Sequence, residues 1–160
     1  LRLVVTASGL DKGALLAEDI VEVNHVGSLI EETTHKPSAE SELHARIASL
    51  TGAGAVVHVH NVASVLAGEL FPSGVTLSEI EMLKGIGRPA HDIETTIPVI
   101  RNSQDMLQLG NWFEDAFNPE VPVVIVAGHG LYVWGKTVRQ ARHFTEAADW
   151  LLELAVARKR

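Results

Sequence analysis

The prediction of the fold starts from residues 52–61, which read Gly-Ala-Gly-Ala-Val-Val-His-Val-His-Asn. Glycines that end a helix, followed by a β-branched run, predict a strand. Successive strand side chains point to opposite faces, so His58 and His60 share one face while Val57 and Val59 point to a core. Two imidazoles on one face can converge on a metal ion, whereas two strand histidines bonded to backbone are the structural alternative.

Length and composition limit the function classes. The 160 residues, 46% hydrophobic and 21% charged, are enough for one domain with a buried core. The formal net charge of −7 argues against a nucleic-acid partner. The sequence has no cysteine, which leaves histidines and carboxylates as metal ligands. No apolar run reaches the ~18 residues of a membrane span, so we expect no membrane association and a cytoplasmic location.

The start of the chain predicts a strand followed by a turn. Residues 1–6 are apolar and begin without methionine, already inside the predicted strand. We therefore expect a single domain over residues 1–160 that lacks its natural N-terminal segment. Ser8 and Gly9 follow this strand, and their hydroxyl and backbone N–H groups suit a phosphate, although a plain turn is the simpler interpretation.

Two predicted helices begin with glutamates. Ser38 fits the N-cap of a helix that runs to about Thr51, with Glu40 in its first turn. Ser78 and Glu81 fit a capping box at the start of a short helix. Both glutamates therefore have a purely structural explanation as helix N-terminal residues.

A third histidine lies at the end of another strand. Residues 121–127 are apolar and predict a buried strand, which ends at Gly128-His129-Gly130 before a second strand begins. A histidine between two glycines is open to close approach by a ligand or ion. Helix and strand patterns alternate irregularly along the chain, which predicts an α/β sheet covered by helices on both faces. No GxGxxG or GxSxG motif is present, so a dinucleotide cofactor or a serine hydrolase is not indicated.

Four segments together resemble, in order and spacing, the motifs of the class II aldolase family. The resemblance covers the chain from about Thr6 to the end and implies a three-layer α-β-α fold with a central mixed or antiparallel sheet. The last two segments are most similar to the methylthioribulose-1-phosphate dehydratase branch of the family. The four segments are Lys36-Pro37-Ser38-Ala39-Glu40, residues 54–60, Glu81-Met82-Leu83-Lys84-Gly85 and residues 127–135.

The resemblance implies a metal site and an assembly. His58, His60 and His129 are expected to bind one divalent ion, Zn²⁺, per subunit. Three protein ligands leave an open position for substrate, as in catalytic zinc sites. The family also implies a homotetramer with its sites near subunit interfaces.

A sugar-phosphate substrate is implied as well. Ser8, Gly9 and Ser38 are expected to hold the phosphate, and a helix N-terminus at Ser38 would favour an anion. Lys12 and Lys36 either add positive charge to this site or are solvated surface residues. The family's Gly-Asn-x-Ser segment, which also contacts the phosphate, is absent from this sequence.

The implied reaction is the zinc-dependent dehydration of 5-methylthioribulose 1-phosphate to 5-methylthio-2,3-diketopentyl 1-phosphate, a hydro-lyase step of methionine salvage. A carboxylate removes the C3 proton and the C4 hydroxyl leaves as water. We assign this carboxylate first to Glu81, which matches the dehydratases, and second to Glu40, which matches the aldolases. The alternatives are a zinc-dependent sugar-phosphate aldolase or 4-epimerase, and a metal-stabilised binding protein without catalysis.

Overall fold

The computed structural model describes residues 2–159, and a four-stranded sheet lies at its centre. Its strands are β3 (Ala55–Val59), β6 (Val99–Ile100), β7 (Val123–Val126) and β8 (Gly130–Gly135). Their order in the sheet is β3-β8-β7-β6, with antiparallel pairing from β3 to β7 and parallel pairing between β7 and β6. The predicted mixed sheet is therefore confirmed.

Four α-helices cover the two faces of this sheet. The helices are α1 (Ser41–Thr51), α2 (Val62–Leu70), α3 (Met106–Ala116) and α4 (Val138–Lys159). Alternate side chains of β8 point to opposite faces: Tyr132 packs with α1 and α3, while Val133 packs with α2 and α4. These two cores confirm the three-layer α-β-α prediction.

Two small antiparallel sheets and two 3₁₀ helices are the remaining elements of the described residues. The first strand confirms its prediction except at Leu1, which lies outside the described residues. Among residues 2–159, no helix combines the length and the apolar character needed to cross a bilayer. The small sheets pair β1 (Arg2–Thr6) with β2 (Ile20–Asn24) and β4 (Val75–Leu77) with β5 (Thr95–Ile97), and the 3₁₀ helices are Ala17–Asp19 and Glu81–Ile86.

The start of α1 differs from its prediction. The helix begins at Ser41, and Glu40 occupies the N-cap position without a side-chain cap. Ser38 lies in a turn before the helix, where its carbonyl accepts the Ser41 N–H at 3.1 Å and its Oγ accepts the Glu40 N–H at 3.2 Å. Serine competes for local backbone bonds in this way, which delays the start of the helix. The predicted stop is correct, because Gly52 ends α1 in the left-handed conformation with φ +67°.

The predicted capping box at Ser78 and Glu81 is wrong. Residues 81–86 form a 3₁₀ helix, and Ile80 precedes it without a side-chain cap. Glu79 adopts a left-handed φ of 56°, which redirects the chain between Ser78 and the helix. The Glu81 carboxylate binds Lys84 Nζ at 2.7 Å instead of a backbone N–H.

Candidate metal centre

Two neighbouring strands bring three histidines to one edge of the main sheet. His58 lies on β3 directly opposite Tyr132 of β8, and His60 follows the last residue of β3. His129 lies in the short connection between β7 and β8. Because β3 and β8 are antiparallel, the end of β3 and the start of β8 meet at this edge.

Close approach of the two strands requires glycine at position 130. A Cβ built there would overlap the Val59 carbonyl oxygen and would lie 3.1 Å from the His60 ring. Gly128 supplies the left-handed turn, with φ +67°, that precedes His129. The two glycines that flank His129 therefore place it beside His60.

The three histidines and one glutamate form a tight group of potential ligands. One ligand atom from each of Glu40, His58, His60 and His129 lies within 4.8 Å of the others, within the part of the chain that is described. His58 Nε2 lies 2.8 Å from His60 Nε2, and His129 Nε2 lies 3.7 Å from a Glu40 oxygen. Imidazole nitrogens with a carboxylate are a donor set that suits a divalent transition metal.

Hydrogen bonds at the outer nitrogens orient two of the imidazoles. His58 Nδ1 lies 3.0 Å from the Leu131 carbonyl, which can only accept, so the proton is assigned to Nδ1. The Nε2 lone pair of His58 then faces the cluster. His129 Nδ1 lies 3.3 Å from Asn102 Oδ1, which leaves its Nε2 directed at Glu40. Partners of this kind fix the ring orientation of metal-binding histidines.

The protonation states also suit cation binding. Burial lowers the pKa of His58 to about 4 and lowers the pKa of His129, so both rings are neutral at pH 7. Burial alone would raise the pKa of Glu40, but a hydrogen bond from Ser38 Oγ at 2.8 Å and the nearby histidines hold it below its ordinary value. The cluster therefore presents the neutral imidazoles of His58 and His129 and a carboxylate anion.

Two half-buried histidines predict that the metal-free protein is sensitive to acid. His44 of α1, like His58, has its pKa lowered to about 4 by burial. The unfolded chain binds these protons near pH 6.5 and the folded chain only near pH 4, so the free energy of unfolding should fall as the pH drops from about 6.5 to about 4. Urea unfolding of the metal-free protein at several pH values measures this fall. The slope should be shallower in His44→Asn, and a flat profile in the wild-type protein would contradict the assignment.

A cavity of about 770 Å³ adjoins the cluster. Its volume lies within the range of small-molecule sites. Glu40, His58 and His60 line it together with Lys12 and Ser38, and valines of β1 and β3 form an apolar wall. Two of the predicted phosphate-binding residues therefore share a cavity with two of the predicted metal ligands.

The other predicted phosphate-binding residues lie beside this cavity. The Ser8 N–H donates to the Lys36 carbonyl at 2.9 Å, and Ala7 pairs with Pro37. Gly9 adopts φ +77° in the same turn. Lys12 Nζ donates to the Ala7 carbonyl at 2.6 Å, which ties it to the turn. The two segments predicted to hold a phosphate are therefore adjacent.

Glu81 does not join the cluster within one chain. Its side chain is exposed and contacts Lys84 and His91. The 3₁₀ helix that carries it packs against α4, with Leu83 in the core of the α2 and α4 layer. His58 stacks on Tyr132, which belongs to the α1 and α3 face of the sheet. The sheet therefore separates Glu81 from the histidines.

Sequence reasoning missed three residues of this region. Asn102 lies shortly after β6 and contacts His129, and its only signal in the sequence was a polar residue after an apolar segment. His44 follows Glu40 by one helical turn and contacts Tyr132. Tyr132 is one of six buried residues in β8, and the sequence alone does not distinguish it from the others. Its position opposite His58 follows only from the register of β3 and β8.

Comparison with known protein families identifies the fold family. The family model described as the Class II Aldolase and Adducin N-terminal domain matches residues 1–156. The chain belongs to the class II aldolase family. This membership confirms the resemblance carried by the four sequence segments.

Two curated relatives of this chain are named methylthioribulose-1-phosphate dehydratase. The protein of Sulfurihydrogenibium sp. (strain YO3AOP1) is 36% identical over 152 residues, which is 94% of this chain and 71% of the relative. The protein of Geobacillus kaustophilus (strain HTA426) is 37% identical over 160 residues, which is 99% of this chain and 76% of the relative.

Solved structures of two aldolases share the fold of this chain. An L-fuculose 1-phosphate aldolase superposes with a TM-score of 0.79 at 19% identity, covering 99% of this chain and 70% of the aldolase. The L-fuculose-1-phosphate aldolase of Thermus thermophilus gives a TM-score of 0.73 at 22% identity, covering 97% of this chain and 77% of that aldolase. At these identities the likeness concerns the fold, and it agrees with the observed three layers.

Proposed function

We propose that this chain is a metal-dependent methylthioribulose-1-phosphate dehydratase, which removes water from 5-methylthioribulose 1-phosphate. The observation that carries the proposal is the convergence of three imidazoles and a carboxylate beside a cavity of about 770 Å³. Two relatives, 36% and 37% identical to this chain, are named methylthioribulose-1-phosphate dehydratase, and these names favour dehydration over the other reactions of the family.

We assign the metal to His58, His60 and His129, and we propose Zn²⁺ as the ion. Nitrogen-rich donor sets favour zinc over magnesium or calcium, and three protein ligands leave a position for the substrate. Bound there, the ion supplies Lewis acidity toward the oxygen atoms of the substrate. The His58–Leu131 and His129–Asn102 contacts keep both Nε2 atoms directed at the site.

Glu40 is the proposed proton acceptor at C3 of the substrate. It is ionised, it lines the cavity, and one of its oxygens lies 3.7 Å from His129 Nε2. The carboxylate takes the C3 proton, the C4–O bond breaks, and the leaving hydroxide gains a proton to become water. The remaining enol tautomerises to the 2,3-diketone, so the reaction needs neither an oxidant nor a reductant.

The phosphate of the substrate is assigned to the other end of the cavity. Lys12 and Ser38 line it, and the Ser8–Gly9 turn lies beside Lys36. An ammonium group and backbone N–H groups in a turn are suited to a phosphate dianion. This arrangement places charge recognition and proton transfer in one cavity.

Glu81 is the second acid–base candidate, and it requires an assembly. Its carboxylate is exposed and lies on the other side of the sheet from the histidines of its own chain. We propose that the protein is a homotetramer in which the Glu81 carboxylate of one subunit lies beside the C4 hydroxyl in the site of a neighbouring subunit.

Glu81→Gln is therefore expected to lower turnover about 100-fold while the metal content stays unchanged. Co-expression of Glu81→Gln with His129→Ala chains tests the shared site. A tetramer of both chains contains sites with an intact metal centre beside an intact Glu81, so about a quarter of the wild-type activity should return. Unrestored activity in purified mixed tetramers would contradict the supply of Glu81 by a neighbour, and full activity of Glu81→Gln would remove its role altogether.

Product analysis tests the proposed reaction. Metal-loaded protein is incubated with 5-methylthioribulose 1-phosphate and followed by proton NMR. Loss of the C4 carbinol signal with formation of a diketone is the expected result. Dihydroxyacetone phosphate with a methylthio aldehyde would instead identify an aldolase. Substrate binding without conversion would favour a binding protein and overturn the proposed activity.

A further inference from the structure

Tyr132 is buried completely, yet its hydroxyl has no hydrogen-bond partner within the described residues 2–159. Its exposed fraction is 0%, and its oxygen is among the buried polar atoms without a bond. Burial also raises the pKa of Tyr132, so the phenol stays neutral. An unpaired buried hydroxyl costs free energy, and phenylalanine would avoid this cost. The recorded contacts of Tyr132 with its neighbours in the core are therefore those of its aromatic ring.

The Tyr132 ring contacts two histidines. It stacks on His58 with ring centroids 4.0 Å apart and planes 14° from parallel. The edge contact with His44 of α1 has centroids 5.4 Å apart at 66°. His44 lies one helical turn after Glu40, and its backbone N–H donates to the Glu40 carbonyl at 3.0 Å. Tyr132 thus packs between the imidazole of a proposed metal ligand and the helix that follows Glu40.

We propose that Tyr132 is a positioning residue for His58. The Leu131 carbonyl fixes the direction of His58 Nδ1, but one hydrogen bond leaves the ring free to tilt about that bond. The stacked Tyr132 ring removes this freedom and fixes the plane in which His58 Nε2 points at the cluster. The inference rests on the proposed metal site, and it assigns the effect to the aromatic face rather than to the hydroxyl.

Three substitutions separate positioning from ordinary core packing. Tyr132→Leu removes the stacked ring, and Tyr132→Phe removes only the hydroxyl. Trp134→Leu is the matched control, because Trp134 lies on the same face of β8 and packs with Phe113 and Phe117. The complete protein carries each change, and Zn²⁺ affinity is measured by competition with a chromophoric chelator. The visible spectrum of the Co²⁺-loaded protein reports the ligand geometry, and thermal unfolding without metal reports stability.

Tyr132→Leu is expected to weaken Zn²⁺ binding about 10- to 100-fold and to change the Co²⁺ spectrum. Tyr132→Phe should keep the wild-type affinity and spectrum, with a Tm equal to or above that of the wild type. Trp134→Leu should lower the Tm but leave the affinity unchanged. If Tyr132→Leu does not fold, Tyr132→Met replaces it, since an unbranched side chain fills the space without a ring.

Two results would overturn the inference. The first is wild-type affinity and spectrum in a folded Tyr132→Leu or Tyr132→Met protein. The second is an equal loss in Tyr132→Phe, which would assign the effect to the hydroxyl. His58→Ala is measured in parallel: unchanged Zn²⁺ affinity there would show that the metal site itself is assigned wrongly, which is a separate failure.

Discussion

Replacing His58 by alanine is expected to remove the bound metal and the dehydratase activity together. His58 lies at the centre of the cluster, 2.8 Å from His60 Nε2 and with its ring stacked on Tyr132. Loss of a residue that hydrogen-bonds a metal ligand weakens metal binding about 10- to 100-fold. Loss of the ligand itself should weaken Zn²⁺ binding by more than this. Elemental analysis and the initial rate of diketone formation measure the two losses.

The control for this change is His143→Ala. His143 is an exposed residue of α4 and does not belong to the ligand group. It should keep both the metal and the activity. A His58→Ala protein that still holds one equivalent of Zn²⁺ after dialysis would contradict the assigned ligand set.

Replacing Glu40 by glutamine should stop the reaction without removing the metal. Glutamine has the shape of glutamate and can still accept the hydrogen bond that Ser38 Oγ donates at 2.8 Å, but it cannot take a proton from C3. We expect turnover to fall between about 10²- and 10⁴-fold, the usual range for a general base. Metal content and folding should match the wild type.

Hydrogen exchange distinguishes the two glutamates. In D₂O, the C3 proton of bound substrate should be replaced by deuterium when the residue that removes this proton is intact, even if dehydration does not follow. Glu81→Gln is expected to retain this exchange, and Glu40→Gln is expected to lose it. Glu42→Gln, in the first turn of α1, is the matched control and should behave as the wild type. Retained exchange in Glu40→Gln would transfer the proton-acceptor role to Glu81.

The sequence predicts those parts of the fold and site that depend on local periodicity. Alternation along residues 55–60 places His58 and His60 on one side, because strand side chains repeat every two residues. The Gly128-His129-Gly130 segment identifies a turn at a strand end for the same local reason. Irregular alternation of helix and strand patterns was sufficient for the three layers.

Features that depend on competing local bonds were predicted wrongly. Ser38 has the chemistry of an N-cap, but its hydroxyl accepts the Glu40 N–H and forms a turn before the helix. Ser78 and Glu81 match a capping-box pattern, yet the left-handed φ of Glu79 separates them. Sequence patterns give the residues that are able to cap a helix, whereas the conformation of the preceding residues decides whether they do.

Contacts between distant segments could not be predicted from one sequence. His44 and Tyr132 are 88 residues apart in the numbering and meet only because α1 packs on β8. Asn102 contacts His129 because β6 pairs in parallel with β7. β6 has only two residues, so this pairing has no recognisable pattern in the sequence. Tyr132 contacts His58 and Asn102 contacts His129. The sequence therefore predicts which residues are ligands, whereas the structure is needed to show how their rings are oriented.

The proposed metal dependence is tested most directly by a Zn²⁺ titration of metal-free protein with product detection. Zn²⁺ is added in steps to the dialysed protein, and diketone formation from 5-methylthioribulose 1-phosphate is followed by NMR at each step. We expect the rate to rise in proportion to added Zn²⁺ up to one equivalent per chain and then to stay constant. Diketone formation at the full rate without metal, or no diketone at any Zn²⁺ level, would contradict this expectation.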